Sequence, residues 1–189
     1  MERLSYLTQE ELKRLLKVVK SESVRDYAIF LLAYRHGLRA SEVGLIQVED
    51  IDFHRQKIFI KRLKGSLSGE QLMWPDEIRA VKRYLKIRGE YPGPLFLSRN
   101  KNPISRGQLH YLFVKYAEKA EIPPHKRHFH TLKHSLAVHL LDAGADVMIV
   151  RELLGHKNIK NTLVYARLTA RKRDELHSRF LSTPMIVKV

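Results

Sequence analysis

The chain of 189 residues contains no cysteine. Disulfides, thiol nucleophiles and cysteine-ligated zinc are therefore excluded, and only histidine or carboxylate side chains could hold a metal ion. Long apolar runs are also missing, because the longest, YAIFLLAY at 27–34, is far shorter than the roughly 20 residues that cross a bilayer. The N-terminal MERLSYLTQEE has no apolar segment typical of a signal peptide. We therefore expect a soluble, cytoplasmic protein that does not enter a membrane.

Acidic residues are scarce relative to basic ones. Asp and Glu total 20 against 35 Lys and Arg, which gives a formal net charge of +15 and a pI near 10.1. Such an excess favours a polyanionic partner, and nucleic acid is favoured over a membrane surface. With 44% hydrophobic residues, the chain is long enough for one well-packed domain, which we assign to residues 1–182.

Helical periodicity covers most of the chain. The segment TQEE at 8–11 predicts a capping box, and Gly37, Gly89, Gly144 and Gly155 are predicted to end helices. The predicted helices are 8–20, 23–36, a short helix begun by Ser41 as N-cap, 76–89, 106–120, 130–143, 146–154 begun by Asp146, 158–166 and 170–181. Between residues 51 and 75, β-branched and aromatic residues alternate with polar ones. The predicted fold class is mainly α with a small three-stranded antiparallel sheet.

The stretch HTLKHS at 130–135 concentrates two histidines and a lysine. In a helix His130, Lys133 and His134 share one face, which suits a metal site, a proton-transfer site or a grip on phosphate. A zinc site is the least favoured, because no Glu follows His130 and because Lys133 and Arg127 would repel a dication. His134 is expected to order the site or to contact a nucleic acid.

Five ordered motifs carry a resemblance to a known family. They are GLRASE (37–42), LKG (63–65), HTLKHS (130–135), LLGHKN (153–158) and NTLVYARL (161–168). Together they resemble the catalytic domain of the tyrosine recombinases, the phage-integrase family. The resemblance implies that family's fold and site-specific recombination of double-stranded DNA, by strand cleavage and rejoining through a 3′-phosphotyrosine. It also implies self-assembly into a tetrameric synapse on DNA and no metal or other cofactor.

The resemblance also implies a catalytic set of six residues: Arg39, Lys64, His130, Lys133, His156 and Tyr165. Tyr165 would be the nucleophile, and Lys64 would protonate the departing 5′ oxygen, with Lys61 as the alternative. His130 would accept or relay the tyrosine proton, while the other three side chains would hold the phosphate. Cations suit that task because the transition state gathers negative charge on the non-bridging oxygens. Glu42 is expected to hold the local geometry rather than to react.

The sequence departs from the family pattern in two places. Lys133 stands where the family has arginine, and an ammonium cannot reproduce a two-pronged guanidinium grip. This leaves open a catalytically weakened DNA-binding relative, and a type IB topoisomerase-like enzyme is a further alternative. The residues before LTQEE are also too few to form the N-terminal helical domain common in the family, so no such domain is expected here. The apolar tail TPMIVKV (183–189) is expected to be exchanged between protomers.

Overall fold

The computed structural model describes residues 4–63 and 65–166. Eight α-helices and one sheet lie in these residues: α1 (Gln9–Glu22), α2 (Val24–Arg35), α3 (Ala40–Val43), β1 (Ile51–Asp52), β2 (Lys57–Ile60), β3 (Gly69–Leu72), α4 (Pro75–Arg88), α5 (Arg106–Lys119), α6 (Thr131–Asp142), α7 (Val147–Leu153) and α8 (Lys160–Ala166). Short 3₁₀ turns occupy Val48–Asp50 and Pro124–Lys126. The predicted fold class is confirmed, while the predicted helix at 170–181 and the tail at 183–189 lie outside the described residues.

Side-chain caps fix the starts of several helices. Thr8 and Glu11 form the predicted capping box of α1, and the Asp146 carboxylate accepts a hydrogen bond from Met148 N–H at the start of α7. The prediction that Ser41 caps the short helix α3 is wrong. The N-cap is Arg39, and the Glu42 carboxylate accepts from the Arg39 N–H at 2.9 Å, because this buried acid faces back toward the helix start.

The sheet is a meander in the order β1, β2, β3, with both pairs antiparallel. Phe59 pairs with Glu70 and Ile60 pairs with Gly69 in the β2–β3 ladder. Ile58 and Ile60 are buried while Phe59 between them is exposed, which is the alternation expected of a strand with one face on the core. The segment that joins β2 to β3 contains the LKG motif, so the sheet presents this loop to the rest of the domain.

Helix α2 lies at the centre of the larger core and contacts α1, α4 and α6. Phe30 on α2 stacks on Phe113 with ring centroids 5.7 Å apart and meets Tyr116 and Phe129 edge to face. A second cluster of buried residues joins α6, α7 and α8, and Tyr165 belongs to it. The C-terminal half of α6 therefore forms the support on which the tyrosine helix packs.

Two turns require glycine. Gly37 after α2 has φ +55°, and a Cβ there would lie 2.6 Å from Leu154 Cδ2. Gly155 after α7 has φ +69°, and a Cβ there would lie 2.6 Å from the Leu67 carbonyl oxygen. Both turns can therefore pack directly against their neighbours, which brings the residues around 37, 67 and 155 together. In the described residues, no helix has both the length and the apolar character needed to cross a membrane.

Candidate active site

The acid of the GLRASE motif is the centre of a buried ion-pair network. Glu42 is 1% exposed, and its carboxylate accepts from Arg39 Nη1 at 2.7 Å and from Arg62 Nη1 at 3.0 Å. Burial by itself raises the pKa of Glu42, but hydrogen bonds from Arg39 and the charge of Arg62 outweigh it, so the pKa lies below its usual value. Glu42 therefore holds Arg39 and Arg62 in place.

Arg39 lies at the N-cap of α3, half-buried. Its Nη1 donates to Glu42 and, at 3.1 Å, to the Ser66 hydroxyl of the β2–β3 loop. Within residues 4–63 and 65–166, the hydrogen bonds of this guanidinium all come from Nη1. The remaining N–H groups of Arg39 are thus available for another ligand, and the two fixed contacts orient the planar group.

Arg62 is a structural residue of the site that sequence reasoning missed. It is buried and donates to the carbonyls of His36, Gly37 and Leu153 at 2.6–2.9 Å as well as to Glu42. It therefore joins the end of α2, α3 and the end of α7. The alternation along β2 could have predicted that Arg62 is buried, because Ile58 and Ile60 are buried and position 62 continues their face. Lys61 is exposed, and Lys64 lies outside the described residues.

Lys133 lies beneath the site rather than at its surface. The side chain, on α6, is 1% exposed, and Nζ donates to the carbonyls of Gly37 at 2.9 Å and Leu154 at 3.0 Å. Burial, together with the charges of Arg62 and Arg39, lowers the pKa of Lys133 to about 6. At pH 7 most of this group is therefore a neutral amine, whose two N–H donors match the two carbonyl acceptors.

The two histidines of the predicted set, His130 and His156, both lie within range of the Lys133 side chain. His130 forms the N-cap of α6 and is exposed, yet partial burial of its ring and the charges of Lys133 and Arg39 lower its pKa. His156, after α7, is buried, and its Nδ1 bonds to the Thr162 hydroxyl at 2.9 Å. Burial and the charges of Lys133 and Arg39 lower the pKa of His156 to about 4, so it is neutral at pH 7.

Tyr165 lies on α8, and its side chain belongs to the same site. Its ring is nearly parallel to the ring of His156, with centroids 6.5 Å apart, and its hydroxyl bonds to Nδ1 of His134 at 2.8 Å. Burial raises the pKa of Tyr165 to about 12, against the opposing charge of Arg39. The hydroxyl is therefore protonated at neutral pH. The fold thus brings Arg39, His130, Lys133, His156 and Tyr165 together from four separate parts of the chain.

The described residues contain no group of three or more His, Asp or Glu side chains placed to hold a metal ion. His130 and His134 do approach each other, with ring centroids 5.0 Å apart, but the groups around them are Lys133, His156 and Tyr165. A phenol, an amine and a third imidazole around an imidazole pair suit proton transfer and the binding of an anion.

A cluster of cationic and imidazole side chains continues from His130 across the adjacent surface. A cavity of about 470 Å³ is lined there by Arg106, His110, His128 and His130, together with Ala40, Gly107 and Phe129. The rings of His110 and His128 stack with centroids 6.4 Å apart. The lining contains no carboxylate, so this face suits an extended anion that passes the site.

Comparisons with known proteins identify the family of the chain. The sequence model of the phage integrase family matches residues 5–172. The type 1 fimbriae regulatory protein FimB of Escherichia coli is 34% identical over 172 residues, which cover 88% of this chain and 86% of FimB. The tyrosine recombinase XerA of Pyrococcus furiosus is 34% identical over 178 residues, which cover 92% of this chain and 60% of XerA.

Solved structures show the same fold. The crystal structure of XerA recombinase superposes with a TM-score of 0.84 at 24% identity, covering 97% of this chain and 68% of the XerA chain. The family match and the relatives therefore define a DNA strand-transferring enzyme. The chain belongs to the phage integrase family, and it is a tyrosine recombinase.

Proposed function

We propose that Tyr165 is the nucleophile of site-specific recombination and that the residues gathered around it hold the scissile phosphate of double-stranded DNA. The observation that carries this assignment is the placement of Tyr165, whose hydroxyl bonds to His134 on α6, whose ring lies beside that of His156, and which is within range of the Arg39 charge. The hydroxyl attacks phosphorus and forms a 3′-phosphotyrosine, and the 5′ oxygen leaves. Rejoining is the same step in reverse.

Arg39 binds the non-bridging oxygens of this phosphate. Its charge is permanent, and Glu42 and Ser66 already fix one edge of the guanidinium. A donor that is preoriented in this way costs no reorganisation when charge develops in the transition state. His156 donates to the same phosphate through Nε2, because Thr162 occupies Nδ1. Glu42 and Arg62 act through Arg39 and do not touch the DNA.

Lys133 supports the site from inside the protein, and it adds positive charge to the site when DNA is bound. The amine is held by Gly37 and Leu154, so it is fixed beneath Arg39 and His130. An anionic phosphate above it favours the ammonium form and raises its pKa. The positive charge that arginine supplies permanently in the family pattern is then supplied by Lys133 only in the complex. Lys64, between the described Leu63 and Gly65, protonates the 5′ oxygen.

The DNA backbone continues over the cavity lined by Arg106, His110 and His128. Contacts of this kind position a duplex and give affinity without reading its sequence. The net charge of +15 supports the same conclusion, since neutralised phosphates release counterions. These contacts place the duplex so that one phosphate lies between Arg39 and Tyr165.

Assembly of several protomers on DNA is part of this proposal. An apolar groove of about 730 Å³ lies between β3, α2, α6 and α7. Its lining includes Leu67, Leu72, Trp74 and Ile149, which are 52%, 70%, 51% and 61% exposed. Exposed apolar side chains gathered in one groove suit a contact with another protein surface. The tail 183–189, which is apolar at Met185, Ile186, Val187 and Val189, is the segment that we propose is exchanged between protomers in a tetramer.

A nicked suicide substrate tests the nucleophile. The nick lets the short 5′ fragment diffuse away, so the covalent protein–DNA adduct accumulates. The parent chain should form the adduct on DNA that contains its site, and Tyr165→Phe should form none. Tyr111→Phe is the matched control, because Tyr111 is 66% exposed and lies on α5. An adduct with Tyr165→Phe would refute the assignment, and loss of the adduct with Tyr111→Phe would show that the effect is not specific.

A further inference from the structure

The hydrogen-bond partner of the Tyr165 hydroxyl is His134, a residue outside the six-residue catalytic set. The distance from Nδ1 to the hydroxyl oxygen is 2.8 Å, and the ring centroids are 5.6 Å apart. His130, to which the resemblance gives the tyrosine proton, contacts the ring of His134 with centroids 5.0 Å apart. Among the described residues, no hydrogen bond joins His130 to Tyr165. His134 is thus the imidazole next to the reacting oxygen.

The pKa values leave both partners of this hydrogen bond neutral at pH 7. Burial lowers the pKa of His134 to about 4, with further lowering by the charges of His130, Lys133 and His156. The imidazole is then neutral at pH 7, whereas the phenol, whose pKa burial raises to about 12, keeps its proton. The tyrosine hydroxyl donates and the lone pair of Nδ1 accepts in the tautomer of His134 that carries its ring proton on Nε2. This tautomer places a lone pair on the tyrosine proton.

We propose that His134 is a catalytic residue that takes the proton of Tyr165 during cleavage. The proposal rests on the proposed function, in which Tyr165 is the nucleophile. As the bond from the tyrosine oxygen to phosphorus forms, the hydroxyl proton moves to Nδ1 of His134. The bond from phosphorus to the 5′ oxygen breaks, and its electron pair leaves with that oxygen, which is protonated by Lys64. In rejoining, the imidazolium of His134 returns its proton to the tyrosine.

Bound DNA makes this transfer feasible. An anionic phosphate bound near His134 favours its imidazolium form and raises its pKa. Without DNA, the same surroundings keep the proton on the tyrosine, so the nucleophile is not activated in solution. His130 lies against the ring of His134 and acts through it, by stabilising the imidazolium or by relaying its proton.

The chain contains its own structural control for this role. His139 lies five residues further along α6, and its Nδ1 bonds to the hydroxyl of Tyr34 at 2.9 Å. Its Nε2 bonds to the Leu7 carbonyl at 2.9 Å, so this histidine pairs with a tyrosine far from any reacting group. Replacing histidine with asparagine at either position keeps an acceptor near the place of Nδ1 but removes the basic nitrogen. His139→Asn therefore reports the structural cost alone.

The test is single-turnover cleavage of two suicide substrates, one with the natural 5′ oxygen and one with sulfur at that bridging position. A thiolate leaves without protonation, so cleavage of the sulfur substrate does not need the general acid. It still needs the base that takes the tyrosine proton. We expect His134→Asn to cleave both substrates about a hundredfold more slowly than the parent, which is typical of a lost general base. Lys64→Ala should cleave the oxygen substrate slowly and the sulfur substrate at about the rate of the parent. His139→Asn should cleave both within about threefold of the parent, as expected away from the reacting groups.

The outcomes separate this inference from the proposed function. If the parent and His134→Asn cleave at similar rates while His130→Asn is slow, His130 is the base and the role of His134 is refuted. If His134→Ala cleaves slowly and His134→Asn cleaves at the rate of the parent, His134 only positions the tyrosine. That result also refutes proton transfer to His134. If the parent forms no adduct at all, or forms it through another residue, the nucleophile assignment fails and this inference fails with it.

Discussion

At the scale of single residues, the most informative position is Lys133. The family resemblance predicts a phosphate grip there, and that role stays a prediction. The fold gives the position a structural task, since the amine ties the Gly37 turn to the end of α7 at Leu154. Sequence alone could not reveal this, because the two carbonyls come from segments that are 96 and 21 residues away.

Lys133 should make the stability of the chain depend on pH. Its folded-state pKa of about 6 lies below the ordinary value of 10.5, so between these values the unfolded chain binds one more proton than the folded chain. Stability therefore rises with pH across this window and is lost as the pH falls, by about 1.4 kcal/mol per pH unit for one proton. Urea unfolding of Lys133→Met between pH 7 and 9 should lack this slope.

The control for that measurement is Lys61→Met, because Lys61 is an exposed lysine of the same chain. It should keep the slope of the parent. Equal slopes for the parent and Lys133→Met would mean that Lys133 is charged in the folded protein at these pH values.

Variants at position 133 test whether a lysine there supports full activity. Loss of one donor to a transition-state oxyanion typically costs about 3–4 kcal/mol, or roughly a hundred- to a thousandfold in rate. Lys133→Ala should slow cleavage by that amount while most DNA affinity remains. Lys133→Arg should hold or raise the rate if the pocket merely tolerates lysine, and should lower it if the pocket is built for lysine. An alanine variant as fast as the parent would remove Lys133 from the active site.

At the scale of elements, the periodic pattern predicted the described helices within a few residues of their bounds and placed three strands between residues 51 and 75. Local signals carry that information, since caps and glycines act within one turn. The N-cap of α3 was predicted wrongly because a hydroxyl is the usual capping group, whereas here Glu42 reaches back from inside the helix. Arg62 was missed because its partners at 36, 37, 42 and 153 meet only in the folded chain.

Arg62 should be the strongest stabilising residue of the junction between α2, α3 and α7. Removing one partner of a buried ion pair typically costs about 3–5 kcal/mol, because the other charge stays buried. Arg62→Ala should lower the free energy of unfolding by that amount, measured by urea denaturation. Arg55→Ala removes an exposed pair with Glu70 and should cost no more than about 1 kcal/mol. Similar losses for both variants would contradict the importance that we give to burial.

At the scale of the whole molecule, the family was predictable from the order of five short motifs, whereas the proposed DNA-binding face was not. The cavity beside His130 combines Arg106 and His110 of α5 with His128 of a loop. Arg106 and His110 share a face of α5 at i and i+4, but no periodic pattern links them to His128, so only the fold brings the three together. The +15 charge indicated a polyanion but could not place it.

The proposed DNA face predicts a change in salt dependence. The slope of log K against log salt becomes shallower by about 0.9 for each phosphate that the protein no longer neutralises. Arg106→Ala should therefore reduce the slope by about one, measured by fluorescence anisotropy on a labelled duplex across a range of salt concentrations. Lys13→Ala is the control, because Lys13 already pairs with Glu10. An unchanged slope for Arg106→Ala would exclude this cavity from the DNA path.

Deletion of residues 183–189 tests the assembly proposal. The truncated chain should keep its thermal stability and its cleavage of a suicide substrate that carries one site, because neither depends on exchange between protomers. It should lose recombination between two sites and the slow-migrating synaptic complex in a native gel. Unchanged recombination by the truncated chain would refute the exchange of this tail.

The assignment of Tyr165 as the nucleophile requires that no other side chain of the protein attacks the DNA. The most direct measurement is the identity of the residue that carries the DNA after cleavage of a suicide substrate. The adduct is digested with nuclease and protease, and the modified peptide is sequenced by tandem mass spectrometry. We predict that the nucleotide remnant is attached through its 3′ phosphate to the hydroxyl oxygen of Tyr165. A remnant on any other residue, or attachment through a 5′ phosphate, would contradict the assignment.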